Sequence, residues 1–323
     1  MPQALTLLLL TAGLIGAACT GMLYCRQRAR LGQINSQLLH ITINQELKEF
    51  LGNIQRHRGM VNGYLNGDAS FKYKISVLQA EINRQAGQIA RHLQTSECHR
   101  ADFETIRNHW QELYPRVLSG SRAQSFEDHC RLISTVLHLI RDIAERSQLH
   151  RDSGCPFSFV EIVWHLLPDT AEAIGQSRAI GTGIAAAGRG LGTERIKLGF
   201  LVTRIRETVA RLEQGLTRTP ADMTGEKLQQ VHGEVRSRIN KLVTEIEREL
   251  LSADRPNINP GGFFEHASRT LDSVFEFYDQ GTAIARLTLE TQLSDTRRGR
   301  NRSLTTVISS LALATMAATQ LNL

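Results

Sequence analysis

Apolar residues recur three and four positions apart along most of this chain. Ile34, Leu38, Ile41, Leu47, Leu51 and Ile54 show the spacing in one stretch, and Leu132, Val136, Leu139, Ile140 and Ile143 show it in another. That is the period of a helix with one buried face. The pattern predicts helices over 31–66, 69–95, 101–118, 123–150, 157–189, 193–217, 223–252 and 261–297. Pro115, Pro156, Pro220, Pro256 and Pro260 fall at or near breaks in the period, and 254–262 reads as a loop. Pro168 lies inside the fifth segment. There it must kink the helix or open a new one, with proline in the first turn and Asp169 beside it. No alternating run of β-branched residues bounded by turns occurs, so strands are not expected. Long helices with short connections pack as antiparallel neighbours. The expectation is an all-α chain of two four-helix bundles, or one elongated bundle.

The two ends depart from this pattern. Residues 4–25 carry no charge and are long enough for a membrane helix, which needs about 20 apolar residues. No Lys or Arg precedes them, which favours an uncleaved anchor over a signal peptide or a lipoprotein signal ending at Cys19. Residues 303–323 are also uncharged but diluted with Ser, Thr and Ala, and read as a second membrane pass or as an apolar tail packed on protein. Arg26, Arg28 and Arg30 follow the first segment, and Arg297, Arg298, Arg300 and Arg302 precede the second. By the positive-inside rule the middle region faces the cytoplasm from the inner membrane, with a periplasmic loop as the alternative. The resulting division is 1–30, an anchor with a basic flank; 31–297, a helical domain; and 298–323, a basic flank with an apolar segment.

With 41% hydrophobic and 22% charged residues, the chain is not wholesale disordered. Its net charge of +6 rests on 32 Arg against six Lys, and Arg binds planar oxyanions through a fork of donors. Cys19, Cys25, Cys98, Cys130 and Cys155 show no CxxC spacing, which speaks against a disulfide scaffold or a zinc ribbon. The 11 His include no HExxH pair, and His129-Cys130 and Cys98-His99 point neighbouring side chains apart, so no metal site is expected. Walker, nucleophile-elbow and kinase signatures are absent, and the chain does not read as an enzyme. The run Gly181–Gly188 superficially resembles a dinucleotide-binding loop. It continues a helical pattern instead of following a strand, so no cofactor is expected. Basic residues interleave with Glu, as in 245–249, without aromatic platforms, which argues against nucleic acid. The basic stretches 26–30 and 297–302 suit anionic lipid headgroups.

One internal echo stands out. Arg58-Gly-Met-Val-Asn-Gly63 and Arg178-Ala-Ile-Gly-Thr-Gly183 share Arg, small and apolar residues and then Gly, 120 residues apart. Gly59, Gly63, Gly181 and Gly183 would let helices approach closely. An arginine buried at such a contact needs an anion or a carboxylate. It could pair with Glu172 or Glu194, or guanidinium groups from different helices could converge on one small oxyanion.

The stretch Gln55-Arg-His-Arg-Gly-Met-Val-Asn-Gly-Tyr-Leu65 resembles the first-helix motif of nitrate- and nitrite-sensing (NIT) domains, with His57 and Val61 where that motif has an acidic residue and a Ser. Residues 174–183 and the long helices through Tyr278 resemble the same family, over roughly 31–297. The resemblance implies a double four-helix bundle binding nitrate or nitrite between its bundles through arginines. Arg58 and Arg178 match best, Arg56 is a neighbour, and Arg236 or Arg238 is suggested by position. The implied protein is a membrane-anchored sensor that signals to an unidentified downstream protein, with a homodimer as one assembly it allows. The competing readings are a helical membrane scaffold and a chemoreceptor-like sensor of a small organic acid.

Overall fold

The computed structural model describes residues 2–321 except Ser96, Ser153, Asp222 and Asp254; the side chains of Leu5, Thr6, Leu9 and Cys98, among others, lie outside the description. The described chain is helical throughout, with no strand. Eight long helices follow the predicted order: α1 Pro2–Leu65, α2 Phe71–His92, α3 Glu97–Leu113, α4 Arg122–Arg146, α5 157–187, α6 Gly192–Thr217, α7 226–251 and α8 Pro260–Leu321. A short turn of helix, Leu149–Asp152, precedes α5. The first and last helices each run unbroken through the basic flank into the uncharged end, where the sequence predicts separate helical segments.

Pro168 takes the second of the two outcomes its position allowed and stands where a new α-helical segment opens within α5. A π-helical turn over Ile162–Leu166 precedes it, and Pro168 occupies the first turn of the segment Leu167–Ala187, with Asp169 beside it. Proline has no N–H to give, and the wider turn before it takes up the altered hydrogen bonding.

Two compact units divide the chain: 1–38 with 286–323, and 39–285. In the larger unit, α2, α3 and α4 gather around the 39–65 part of α1. Asn53 bonds to Gln85 of α2 at 3.0 Å, and His57 meets Trp110 of α3 and His129 of α4. On the other side α5 packs on α6, and its Gly181 lies under Leu250 of α7 and Phe263 of α8. Ile41, Leu47, Leu51 and Ile54 of α1, and Leu132, Val136, Leu139, Ile140 and Ile143 of α4, are buried as their spacing requires. In the smaller unit, the beginning of α1 and the end of α8 pair with each other. Among the described residues no helix is long and apolar enough to cross a membrane.

Cys19 and Cys25 are exposed, Cys130 is half-buried and Cys155 is buried, all as free thiols. The predicted site of Cys98 falls outside the described side chains.

Candidate functional site

On a helix, successive side chains are turned by about 100°, so neighbours in sequence face different surroundings. Arg56, His57 and Arg58 of α1 use this fully. Arg56 is exposed, donates to Asn53 Oδ1 at 2.9 Å and lines a cleft. His57 turns towards α3 and α4. Arg58 turns into the contact between α1 and α5.

Arg58 is fully buried and meets Glu172 with both ends of its fork, Nη1 to Oε1 at 2.6 Å and Nη2 to Oε2 at 3.1 Å. Gln55 and Gln176 each donate to the same carboxylate, at 2.9 and 2.7 Å. All four bonds end on two oxygens, so the buried charge of Glu172 is well met. Burial works against the charge on Arg58. Glu172, with help from the Cys130 thiol at 3.1 Å, more than offsets it and holds the pKa above the ordinary value.

Arg178, on α5, is in a different position. It is 7% exposed, its guanidinium lies 4.9 Å from the Phe264 ring, and Nη1 donates to Ser268 Oγ at 2.9 Å. Among the described residues no carboxylate lies within ion-pair distance of it. Burial pushes its pKa down, and so does the charge of Arg58; Asp272 offsets only part, leaving it at about 10. At neutral pH it is therefore a nearly buried cation without an anion of its own.

The two arginines pack reciprocally over glycines. A methyl group on Gly175 of α5 would lie 3.0 Å from Arg58 Nη2, and one on Gly59 of α1 would lie 3.8 Å from Arg178 Nη2. Each helix leaves out a side chain where the other's guanidinium passes.

Arg178 opens into a cleft of about 540 Å³ between α1, α2, α5 and α8. Lys48, Arg56 and Lys74 share its walls, against the carboxylates Glu49 and Asp272. Lys48 is bonded to Asp279 at 2.8 Å. The cleft thus carries more cationic than anionic side chains, and its chemistry is to accept an anion by charge-assisted hydrogen bonds from Arg178, with Ser268 beside it.

Of the arginines singled out from sequence, the structure brings Arg56, Arg58 and Arg178 together but gives them separate tasks. Arg58, expected as half of an anion clamp, is held by Glu172, the carboxylate alternative recognised in the sequence. Arg236 bonds to Glu213 at 2.9 Å and lines a separate cleft of about 690 Å³ with Arg248 and His266, and Arg238 is exposed. Neither belongs to the Arg178 cleft, because both sit on the outward face of α7. The glycines divide as well. A methyl group on Gly181 would overlap the Phe263 ring, and one on Gly63 would come within 2.7 Å of Phe71, whereas one on Gly183 would meet nothing within 4 Å.

Sequence reasoning missed Lys48, Lys74, Ser268 and Asp272. A signal for part of this existed: Lys48, Gly52, Arg56 and Met60 line the cleft at every fourth position of α1. Two of the six lysines lie in this one cleft.

His57 and His129 form a second buried group. His129 Nδ1 donates to the Ser125 carbonyl at 2.6 Å, so its Nε2 accepts from His57 Nδ1 at 2.8 Å, and His57 Nε2 accepts from Gln79 at 3.1 Å. Both rings are neutral, since burial disfavours a charge on each, helped by His129 for His57 and by Arg58 and His109 for His129. As expected from adjacency, His129 and Cys130 diverge, the first to His57 and the second to Arg58. Among the described residues no three His, Cys, Asp or Glu side chains gather as a metal would require.

Fold and cleft together define an all-helical domain with an under-neutralised arginine beneath a cationic cleft. The model of the family described as nitrate and nitrite sensing, NIT, matches residues 49–296, and the chain belongs to that family. The family is described by what its domains sense, nitrate and nitrite. No curated protein and no solved structure matches the chain.

Proposed function

We propose that this protein is a sensor of a small oxyanion, nitrate or nitrite, bound in the cleft by Arg178. The observation that carries the reading is Arg178 itself, nearly buried, charged and without a carboxylate in ion-pair reach, in the wall of a cleft that also holds Lys48, Arg56 and Lys74. Arg56, Lys48 and Lys74 draw the anion in, Arg178 holds it with Ser268 alongside, and Arg58 positions the α1–α5 contact through Glu172. Binding at this contact favours one packing of α1 against α5, and a signal leaves as that population shift. The family supports nitrate and nitrite as the first ligands to test, and a signalling protein as the recipient.

Residues 4–25 anchor the chain in the inner membrane, with the sensor domain on the cytoplasmic side. The support is the uncharged run and the arginines that flank it.

Calorimetry on the full-length chain with nitrate, nitrite and chloride tests the proposal. Nitrate or nitrite should bind in preference to chloride, and Arg178→Ala should weaken binding by about 10- to 150-fold, the worth of a charge-assisted hydrogen bond of roughly 1.5–3 kcal/mol. Binding that survives Arg178→Ala unchanged would refute the site. A 540 Å³ cleft also has room for an organic carboxylate. Tighter binding of such an acid than of nitrate would favour that ligand class at the same arginine.

A further inference from the structure

A second cleft, of about 390 Å³, lies in the larger unit where the end of α1, the beginning of α4, the end of α5 and the beginning of α6 meet. Among the described residues it shares no lining residue with the Arg178 cleft, although Ala179, the next residue of α5, belongs to it. Its volume falls in the range of small-molecule sites, about 300–1,000 Å³. Phe126, Ala179, Ile180 and Leu191 give it apolar walls, and Leu191 is 60% exposed. Gly183 also lines it, and a methyl group there would meet nothing within 4 Å. The protein's own packing leaves that space unfilled.

Around these apolar walls stand Arg122 and Lys197 against Glu127 and Glu194. Arg122 of α4 faces Glu194 of α6 at 3.7 Å, and Lys197 of α6 faces Glu127 of α4 at 3.4 Å. The two pairs run in opposite directions, so each helix brings one cation and one carboxylate to the cleft. Both are longer than the roughly 2.7–2.9 Å of a good charge-assisted bond, and partly exposed pairs of this kind contribute little to stability. Other contacts hold the groups in place. Arg122 donates to Asn66 Oδ1 at 2.9 Å, Glu194 accepts from the Leu191 N–H at 3.0 Å, and the Lys197 ammonium stands 4.9 Å from the centre of the Phe126 ring. The charges are thus positioned in advance but loosely satisfied by one another. A balanced set of charges around apolar walls does not select an inorganic anion. It suits a molecule that carries both signs close together beside an apolar group.

We infer that this cleft binds a small zwitterion with an apolar side chain, a free aliphatic amino acid. The carboxylate takes Arg122 and Lys197, the ammonium takes Glu127 and Glu194, and the side chain lies against Phe126 and Ile180 over the gap at Gly183. Binding exchanges two long ion pairs for charge-assisted bonds to the ligand and covers exposed apolar surface. The inference goes beyond the oxyanion reading and does not depend on it, since the two ligands use different clefts.

Calorimetry on the full-length chain with L-leucine, isocaproate and isoamylamine tests this. The second probe is leucine without its ammonium group and the third is leucine without its carboxylate. L-Leucine should bind, and each analogue should bind about 10-fold more weakly or less, the worth of a lost charge-assisted bond. Lys197→Ala should weaken L-leucine by about 10-fold on the same ground. Gly183→Phe, which fills the gap without displacing a neighbour, should abolish binding, and Arg178→Ala should leave it unchanged. No binding of L-leucine at millimolar concentration, or an affinity unchanged in both Lys197→Ala and Gly183→Phe, would overturn the inference. Isocaproate binding as tightly as L-leucine would overturn it in favour of a plain carboxylate site. Loss of L-leucine binding in Arg178→Ala would also overturn it, by placing the amino acid in the other cleft. Nitrate and nitrite binding is read separately, so failure here leaves the oxyanion proposal standing.

Discussion

Acidification should weaken this fold through the buried His57–His129 pair, by an amount the structure allows to be worked out. His129 has its proton on Nδ1, committed to the Ser125 carbonyl, and its Nε2 takes the proton of His57. Charging His129 would set an N–H against the N–H of His57. Burial is the largest obstacle, and the nearby Arg58 and His109 add to it, while the Ser125 carbonyl and Asp128 offset part, so its pKa falls from 6.5 to about 4. The unfolded chain therefore binds a proton that the folded chain refuses between those two values, and stability falls as pH falls through that window. Linkage gives a loss of about 2 kcal/mol between pH 7.5 and 5, approaching about 3 kcal/mol well below pH 4. His57, also depressed, adds in the same direction. Urea unfolding at pH 7.5, 6 and 5 measures the slope for the native chain and for His129→Gln. The variant should lose at least about 2 kcal/mol of the pH dependence, whatever its stability at pH 7.5, since removing His129 also removes one cause of the depression at His57. Equal slopes in the two proteins, or an NMR spectrum showing His129 Nε2 protonated at pH 6, would refute the relay.

The carboxylate network gives a second expectation. Glu172→Gln leaves Arg58 as a buried charge without its counterion and should cost about 3–5 kcal/mol in thermal unfolding; a change below 1 kcal/mol would mean the pair is not desolvated as described. Gly181→Ala must displace Phe263 or Leu250 and should destabilise by about 1–3 kcal/mol, whereas Gly183→Ala, with open space around it, should be neutral or stabilising by up to about 1 kcal/mol. Oxyanion affinity should hold steady from pH 7 to 9 as far as Arg178 is concerned and decline above pH 10, where that side chain loses its charge; calorimetry at pH 7, 9 and 10.5 reads this directly.

The helical class, the order of eight helices and much of the core were legible in the sequence because they depend on local periodicity. A 3.6-residue repeat of apolar side chains buries the same stripe in whatever bundle forms, as Leu132, Val136, Leu139, Ile140 and Ile143 do in α4. The motif around Arg58 and its echo at Arg178 were also readable, since an arginine set among small and apolar residues stands out from the charged faces of the other helices.

Which arginine is free to meet an anion was not readable. That depends on which carboxylate the other helix presents at the contact, and Glu172 lies 114 residues from Arg58. The same holds for Lys48, Lys74 and Ser268, ordinary polar positions on their own helices until packing turns them into one cleft. Periodicity, the uncharged ends and the supply of guanidinium groups are written in the residues alone. How those groups are partnered is settled by packing, because the energy of a buried charge is set by what lies within a few ångströms of it and not by its neighbours along the chain.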